Sequence, residues 1–347
     1  MQFWSSHPLP EPAHYRSLCP FLLGTNQHMD SYLYLGMRIK RLLAGFVGVL
    51  AIAPLISGVI GSHLGPWILR PMRKPLDPAL VAKADAIFAR DNVAREEFDV
   101  RAPDGVMLRG WKVRPQAPNG GWVLLFHGIV DNRAEMAPYA DFLLRAGYGV
   151  VMMDARAQGT SDGTLATFGW KERWDTKNVI DALYASENPR NVFELGESMG
   201  AAIALQSAAV DPRIRAVVAE ASFSSLREVS YDYAGLGLSP LLGRTLFRPA
   251  SYFALRSAEE EGGFRAGDVS PSRAVAEVPF PVLLICGTSD KIIPCRHSEQ
   301  ILRAAIGPKQ LWIVPGAGHT GAFGTEPAEF RRRVLAFFAR NQKQDSH

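Results

Sequence analysis

Five residues offer nucleophilic chemistry: Gly196-Glu197-Ser198-Met199-Gly200 follow an apolar run, Val192–Leu195, and open a segment of helical character. A serine on a sharp strand-to-helix turn needs small neighbours, and Gly196 and Gly200 supply the room. The turn also places the hydroxyl at a helix N-terminus, where the dipole favours developing negative charge. Serine at neutral pH is a weak nucleophile and needs a base within hydrogen-bond reach. Two loops offer partners. Gly287-Thr288-Ser289-Asp290 follows the apolar run Val282–Cys286, and Pro315-Gly316-Ala317-Gly318-His319 follows Gln310–Val314. In this reading Asp290 accepts from His319 Nδ1–H and fixes the tautomer, leaving Nε2 to take the Ser198 proton. His127 is the rival base, at the end of Trp122–His127, and we assign it a structural role. His297, on a helix after Asp290, reads as solvent-facing, and Glu197 carries no assigned role.

These residues converge only if the elements before them are parallel. From Glu96 onward the pattern is regular. Glu96–Ala102 and Val106–Val113 flank Pro103-Asp104-Gly105, a hairpin signal. Apolar strands at Trp122–His127, Val150–Asp154, Val192–Leu195, Ala216–Ala219, Val282–Cys286 and Gln310–Val314 then alternate with helices near Met136–Arg145, Trp170–Ser186, Met199–Val210, Arg296–Ala305 and Pro327–Phe338. Short apolar strands alternating with helices predict a mostly parallel sheet covered on both faces. The loops at its carboxyl edge then share one site. The rhythm breaks between Ser222 and Pro279, where aromatics and glycines are frequent; a helical cap inserted at about 222–279 fits the gap.

The N-terminal third divides differently. Residues 1–36 read as irregular, with prolines at 8, 10, 12 and 20. Residues 37–69 read as a membrane anchor or a cleaved signal segment, and 70–94 as a linker with a short helix from Pro78. A bilayer core needs about 20 apolar residues in a helix. Leu42–Ile60 approaches that length, and Arg38, Lys40 and Arg41 precede it. Positive charge on the N-terminal flank would keep that end cytoplasmic and place the domain at 95–347 outside the cytoplasm, anchored or secreted.

With 347 residues, 47% hydrophobic and 21% charged, the chain can bury a large core, and a net charge of +4 with one basic run, Arg331–Arg333, makes no nucleic-acid footprint. Cys19, Cys286 and Cys295 give neither a disulfide framework nor metal-ligand spacing, and Cys286 reads as a small buried hydrophobe. No metal site, phosphate loop or other cofactor motif is visible.

Together, Phe126-His127-Gly128, the Gly-Glu-Ser-Met-Gly turn, Gly-Thr-Ser-Asp at 287–290 and Gly-His at 318–319 resemble the α/β hydrolases. The branch they look most like is that of bacterial membrane-anchored or secreted hydrolases related to serine aminopeptidases and monoglyceride lipases. The resemblance covers about residues 95–340. It implies the α/β-hydrolase fold, the chain order Ser198, Asp290, His319 for the triad, and an oxyanion hole made by the backbone N–H groups of Ile129 and Met199. Asp154-Ala155-Arg156-Ala157-Gln158-Gly159-Thr160-Ser161 is similar to the family's D-x-R-x-x-G-x-S loop, with Gln158 at a position that is often His.

The expected activity is hydrolysis of carboxylic esters of small-molecule acyl substrates through an acyl-enzyme, without cofactor. Phe223, Tyr231, Tyr233, Phe247, Tyr252, Phe253 and Phe264 in the cap suit an apolar acyl group. A peptidase or amidase is the alternative, with Glu259, Glu260 and Glu261 available to meet an ammonium group. A non-catalytic binding protein on the same fold would be expected to have lost part of the triad, and nothing is missing. Serine at the turn argues against dehalogenase or epoxide hydrolase chemistry, which place Asp there.

Overall fold

The computed structural model describes residues 25–235 and 239–343. The chain divides into two units, Met1–Ala53 and Pro54–His347. The first helix, α1 (Thr25–Ile68), begins in the former and ends in the latter. Of the segment expected to be irregular, residues 1–24 lie outside the described residues. Residues 25–36 are helical, because the prolines that argued for irregularity end at Pro20 and none recurs before Pro54.

In the second unit the strands are β1 (Arg95–Glu97), β2 (Val100–Arg101), β3 (Met107–Leu108), β4 (Gly110–Val113), β5 (Gly121–Phe126), β6 (Gly149–Met153), β7 (Asn191–Glu197), β8 (Ile214–Glu220), β9 (Val282–Gly287) and β10 (Lys309–Val314). The remaining helices are α2 (Pro78–Ala89), α3 (Ala137–Arg145), α4 (Glu172–Glu187), α5 (Met199–Ala208), α6 (Leu226–Ala234), α7 (Pro240–Arg244), α8 (Arg248–Gly262), α9 (Pro271–Glu277), α10 (Arg296–Ala304), α11 (Ala322–Thr325) and α12 (Pro327–Arg340).

Eight strands form one sheet in the order β1-β4-β6-β5-β7-β8-β9-β10, and the hairpin ladder of β2 and β3 stands apart from it. From β6 to β10 every pairing is parallel; β1 and β4 are antiparallel additions at one edge. The central strands are buried on both faces, which is why they read as unbroken apolar runs. Successive side chains point to opposite faces. Leu124, Val192, Val217 and Leu284 therefore join one core with residues of α4, α5 and α9, while Val123, Phe193, Val218 and Ile285 join another with α2, α3 and α12.

Between β8 and β9 lie α6 to α9. Helix α9 packs against α5 and α10, so the cap proper is α6, α7 and α8, narrower than the interval read from the sequence. The expected membrane span is not found: among the described residues no helix is long and apolar enough to cross a membrane. The C-terminal part of α1 instead packs on the cap. Glycines allow it. A Cβ on Gly61 would lie 2.2 Å from Ala250 O, and one on Gly65 would lie 2.5 Å from Ala254 O, so α8 sits directly on the α1 backbone there. The linker after it is pinned as well. The Leu69 carbonyl accepts from Ala166 N–H, Arg70 pairs with Glu261, and Lys74 pairs with Asp131 and Glu135.

Candidate active site

Each candidate side chain leaves the carboxyl end of a parallel strand. Ser198 follows β7 at φ +53°, a conformation that side-chain-bearing residues rarely adopt. The turn is tight enough to explain both glycines. A Cβ on Gly196 would lie 2.4 Å from the Gly200 carbonyl carbon, and one on Gly200 would lie 2.3 Å from Phe126 O. Ser198 N–H donates to Glu220 O at 2.9 Å, which ties the turn to β8.

Asp290 follows β9 and His319 follows β10. Ser198 Oγ is 2.9 Å from His319 Nε2, and His319 Nδ1 is 2.8 Å from Asp290 Oδ2. The other Asp290 oxygen, Oδ1, accepts from the N–H groups of Ile292 and Ile293, both at 2.8 Å. These two bonds fix the carboxylate plane, and through it the imidazole. Three residues far apart in the chain thus form one continuous relay, with Ser198 and Asp290 buried and His319 partly open.

The loop after β5 faces Ser198. His127 is buried; its Nε2 accepts from Ala155 N–H at 3.1 Å, so its proton is on Nδ1, which donates to Gly128 O at 2.7 Å. A peptide is planar and trans, so holding the Gly128 carbonyl on one side turns the Ile129 N–H to the other. Val130 N–H donates to Gln158 Oε1 at 3.0 Å, so the Gln158 side chain supports this loop from the β6 side. Asp154 braces it further by accepting from Arg133 N–H at 2.7 Å and pairing with the Arg133 guanidinium. Met199 N–H opens α5, and the first amides of a helix have no carbonyl one turn back to receive them.

Ser198 opens into an apolar cavity of about 540 Å³. Phe168, Phe223, Leu226, Val229 and Tyr233 line it, with Leu64, Trp67 and Ile68 of α1 forming a wall that the sequence reading had given to a membrane or signal segment. Of the other cap aromatics, Tyr231, Phe247, Tyr252, Phe253 and Phe264 do not line it. Nor do Glu259, Glu260 and Glu261. Glu259 bonds Arg256 and Ala266 N–H, and Glu261 pairs with Arg70.

Two sequence readings are corrected nearby. His297 is fully buried, not solvent-facing. Its Nε2 is 2.8 Å from Asp232 Oδ2 of the cap, and its Nδ1 accepts from Ser224 N–H at 3.2 Å. Burial and the cations Arg296 and Arg244 push it down to about 4, so it is neutral. The group resembles a second Ser–His–Asp relay, but Ser224 is buried and does not line the cavity; it fastens α6 to α10. Cys286 and Cys295 form a disulfide, with Cα atoms 5.4 Å apart, closing the loop that carries Asp290. The Cys286 side chain is buried as expected, but its partner is brought to it by the turn into α10. Among the described residues no cluster of three or more His, Cys, Asp or Glu side chains is arranged to hold a metal ion.

A mostly parallel sheet with a serine elbow after a central strand, acid and histidine on later strands and a helical cap define the α/β-hydrolase class. The chain matches the alpha/beta hydrolase family over residues 123–333, and it belongs to that family. It is 27% identical to the uncharacterised Bacillus subtilis protein YqkD, over 86% of this chain and 97% of that one. It is 28% identical to the uncharacterised Escherichia coli protein YfhR, over 73% of this chain and 84% of that one. Among solved structures it is similar to a Pyrococcus furiosus esterase, with a TM-score of 0.64 and 23% identity over 79% of this chain and 98% of that one. It is also similar to the Pyrococcus horikoshii acylaminoacyl peptidase, with a TM-score of 0.57 and 18% identity over 74% of this chain and 43% of that one. At these identities the structural likeness speaks for the fold. Esterases and peptidases are both among the similar structures, and the chain is a hydrolase by family.

Proposed function

We propose that the protein is a serine hydrolase of carboxylic esters with apolar acyl groups. The observation that carries this reading is the relay Ser198–His319–Asp290, with contacts of 2.9 and 2.8 Å, opening on an apolar cavity. The volume of about 540 Å³ falls within the ~300–1,000 Å³ usual for small-molecule sites. Ser198 Oγ attacks the ester carbonyl as His319 Nε2 takes its proton. The carbonyl oxygen becomes an oxyanion held by Ile129 and Met199 N–H, each such donor contributing roughly 3–4 kcal/mol to the transition state. His319 returns the proton to the leaving alcohol, and the acyl group stays on Ser198. Water, deprotonated by His319, then releases the acid.

A peptidase reading has a weaker basis. An aminopeptidase needs a carboxylate facing the substrate ammonium, and Glu259, Glu260 and Glu261 are turned to Arg256, Arg70 and the cap backbone instead of the cavity. A panel of p-nitrophenyl esters of increasing acyl length, matched thioesters and aminoacyl anilides tests the assignment. We expect kcat/KM to rise with acyl length from acetyl and to favour the esters. Faster hydrolysis of an aminoacyl anilide than of every ester overturns it.

We further infer that the domain works outside the cytoplasm, because the Asp290 loop is closed by Cys286–Cys295 and such bonds persist in oxidising compartments. The basic residues Arg38, Lys40 and Arg41 ahead of an apolar run suit export. Processing, if it occurs, must fall before Gly58, since the residues after it support the cap and wall the cavity. In the uncleaved chain one thiol, that of Cys19, is expected to titrate before reduction and three after; a chain cleaved between Cys19 and Gly58 gives none before and two after. Bridging residues nine apart, the bond stabilises by about 2–3 kcal/mol on a chain-entropy estimate. Reductant is therefore expected to lower the urea midpoint, with Cys295→Ser matching the reduced protein. Free thiols at Cys286 and Cys295 in protein isolated without reductant contradict the assignment.

A further inference from the structure

On the α3 side of the sheet, directly behind the serine turn, two acidic side chains face each other. Glu197 and Glu220 end β7 and β8 and are register partners, which puts both on the same face. Both are buried. Tyr139 of α3 lies between them, its hydroxyl 3.0 Å from Glu197 Oε2 and 3.5 Å from Glu220 Oε2. A phenol has one proton to donate. Two ionised carboxylates in this space would repel each other, and only one of the two oxygens facing Tyr139 could receive its proton. A single further proton, carried on Glu220, resolves both problems: Glu220 donates to the Tyr139 oxygen, and Tyr139 donates to Glu197.

The remaining contacts of the pair reach the parts of the site that do chemistry. Glu220 Oε1 accepts from Ala322 N–H at 2.8 Å, three residues beyond His319. Glu197 Oε1 lies against Gly128 in the loop that aims Ile129, 3.9 Å from where a Cβ on that glycine would stand. The backbone oxygen of Glu220 holds Ser198 N–H.

We propose that Glu197, Tyr139 and Glu220 form a proton-sharing brace that sets the positions of the oxyanion loop and the histidine loop relative to the nucleophile. These are positioning residues; none of them lines the cavity. The proposal rests on the hydrolase reading above. Burial, opposed by the Tyr139 bond, holds Glu197 up to about 7, with Glu220 and Asp131 adding to the shift. Burial likewise holds Glu220 at about 7, opposed by the Ala322 and Tyr139 bonds, with Asp290 raising it further. Lys74 neutralises Asp131 from the linker side. The sign follows: below about 7 the shared proton is present and the brace is intact. As pH rises through that value a second negative charge enters the pair and the brace loosens.

The test is the pH dependence of kcat and KM for the wild type, Glu220→Gln and Glu197→Gln, each checked for folding by thermal unfolding. Glutamine cannot ionise but keeps an acceptor for the loop amide and a donor for Tyr139. In the wild type we expect kcat to fall roughly tenfold on the alkaline side with KM little changed, short of the ~10²-fold that a 1 Å misplacement costs. The glutamine variants are expected to stay flat there, and Tyr139→Phe to lower kcat at every pH. A structural filler would move none of these limbs.

Infrared difference spectra of wild type against Glu220→Gln give a readout independent of turnover: one protonated-carboxyl band at neutral pH, lost on raising the pH. Glu194, also buried and pushed well above the usual carboxylate range by burial, is common to both proteins, so whatever band it gives cancels. A titrating band with superimposable rate profiles overturns the brace and leaves the hydrolase reading standing. So does a wild type with no such band. A band in a protein that cleaves no substrate and takes no serine-directed probe overturns the hydrolase reading, and the brace with it.

Discussion

Ser198→Ala is expected to lower kcat/KM for the best ester by on the order of 10⁵-fold or more, with the folded domain unchanged. The substitution removes a single oxygen from a buried turn whose backbone is held by other groups. Ser198 N–H stays on Glu220 O, and Gly196 and Gly200 keep the close approach that the elbow needs. Alanine adopts the φ of +53° at a cost similar to that of serine, so the thermal midpoint should move little. The attacking atom, in contrast, is the hydroxyl bonded to His319; Ser224, which lies beside the buried His297, is itself buried and does not line the cavity. His319→Ala should cost nearly as much. Residues that act as one unit lose function non-additively, so the double variant should be scarcely worse than either single one. Steady-state kinetics on the three variants, with unfolding curves beside them, check this; Ser198→Ala retaining near-normal turnover would refute the mechanism.

Asp290→Asn is expected to lower kcat by about 10³–10⁴-fold, through the tautomer it selects rather than through charge alone. Asp290 accepts three hydrogen bonds: His319 Nδ1–H on Oδ2, and Ile292 and Ile293 N–H on Oδ1. An asparagine has one oxygen. The two backbone donors hold that oxygen where Oδ1 stood, and the amide NH₂ then points at His319 Nδ1. Nδ1 must become an acceptor, which puts the imidazole proton on Nε2, facing Ser198 Oγ. The base is blocked. Asp290→Ala leaves the histidine free to choose its tautomer, so it should be impaired less severely than Asn. That order, Asn below Ala with KM little changed in both, separates tautomer control from a purely electrostatic effect; equal activity of the two variants would contradict it.

The convergence of the candidate site residues was legible because its signals are local. The elbow occupies five residues at a strand–turn–helix junction, and Asp290 and His319 each follow an apolar run, so a parallel sheet brings them to one edge without further information. What remained hidden depended on partners distant in sequence. An apolar helix with Gly58, Gly61 and Gly65 has the composition of a membrane segment; the same glycines also suit close packing on α8, and only the fold decides between the two. Cys286 and Cys295 sit nine residues apart in no recognisable pattern, and their pairing depends on the turn that returns α10 to the end of β9. His297 read as exposed because Asp232 and Ser224, which satisfy it, come from the cap side of the β8–β9 interval. Glu220 lay one residue past the strand as read from the sequence, Ala216–Ala219, and its relation to Glu197 appears only once β7 and β8 are in register.

The most direct test of the central claim is covalent. A fluorophosphonate probe reacts with a serine only when an adjacent base and an oxyanion site activate it. Val93–His347 would omit the α1 wall of the cavity, so the full chain is the protein to use. Peptide mass spectrometry after labelling is predicted to place the phosphonyl adduct on Ser198 alone, with labelling and ester hydrolysis lost together and both abolished in His319→Ala. Labelling at another residue, or none in a preparation that still hydrolyses esters, would contradict the account.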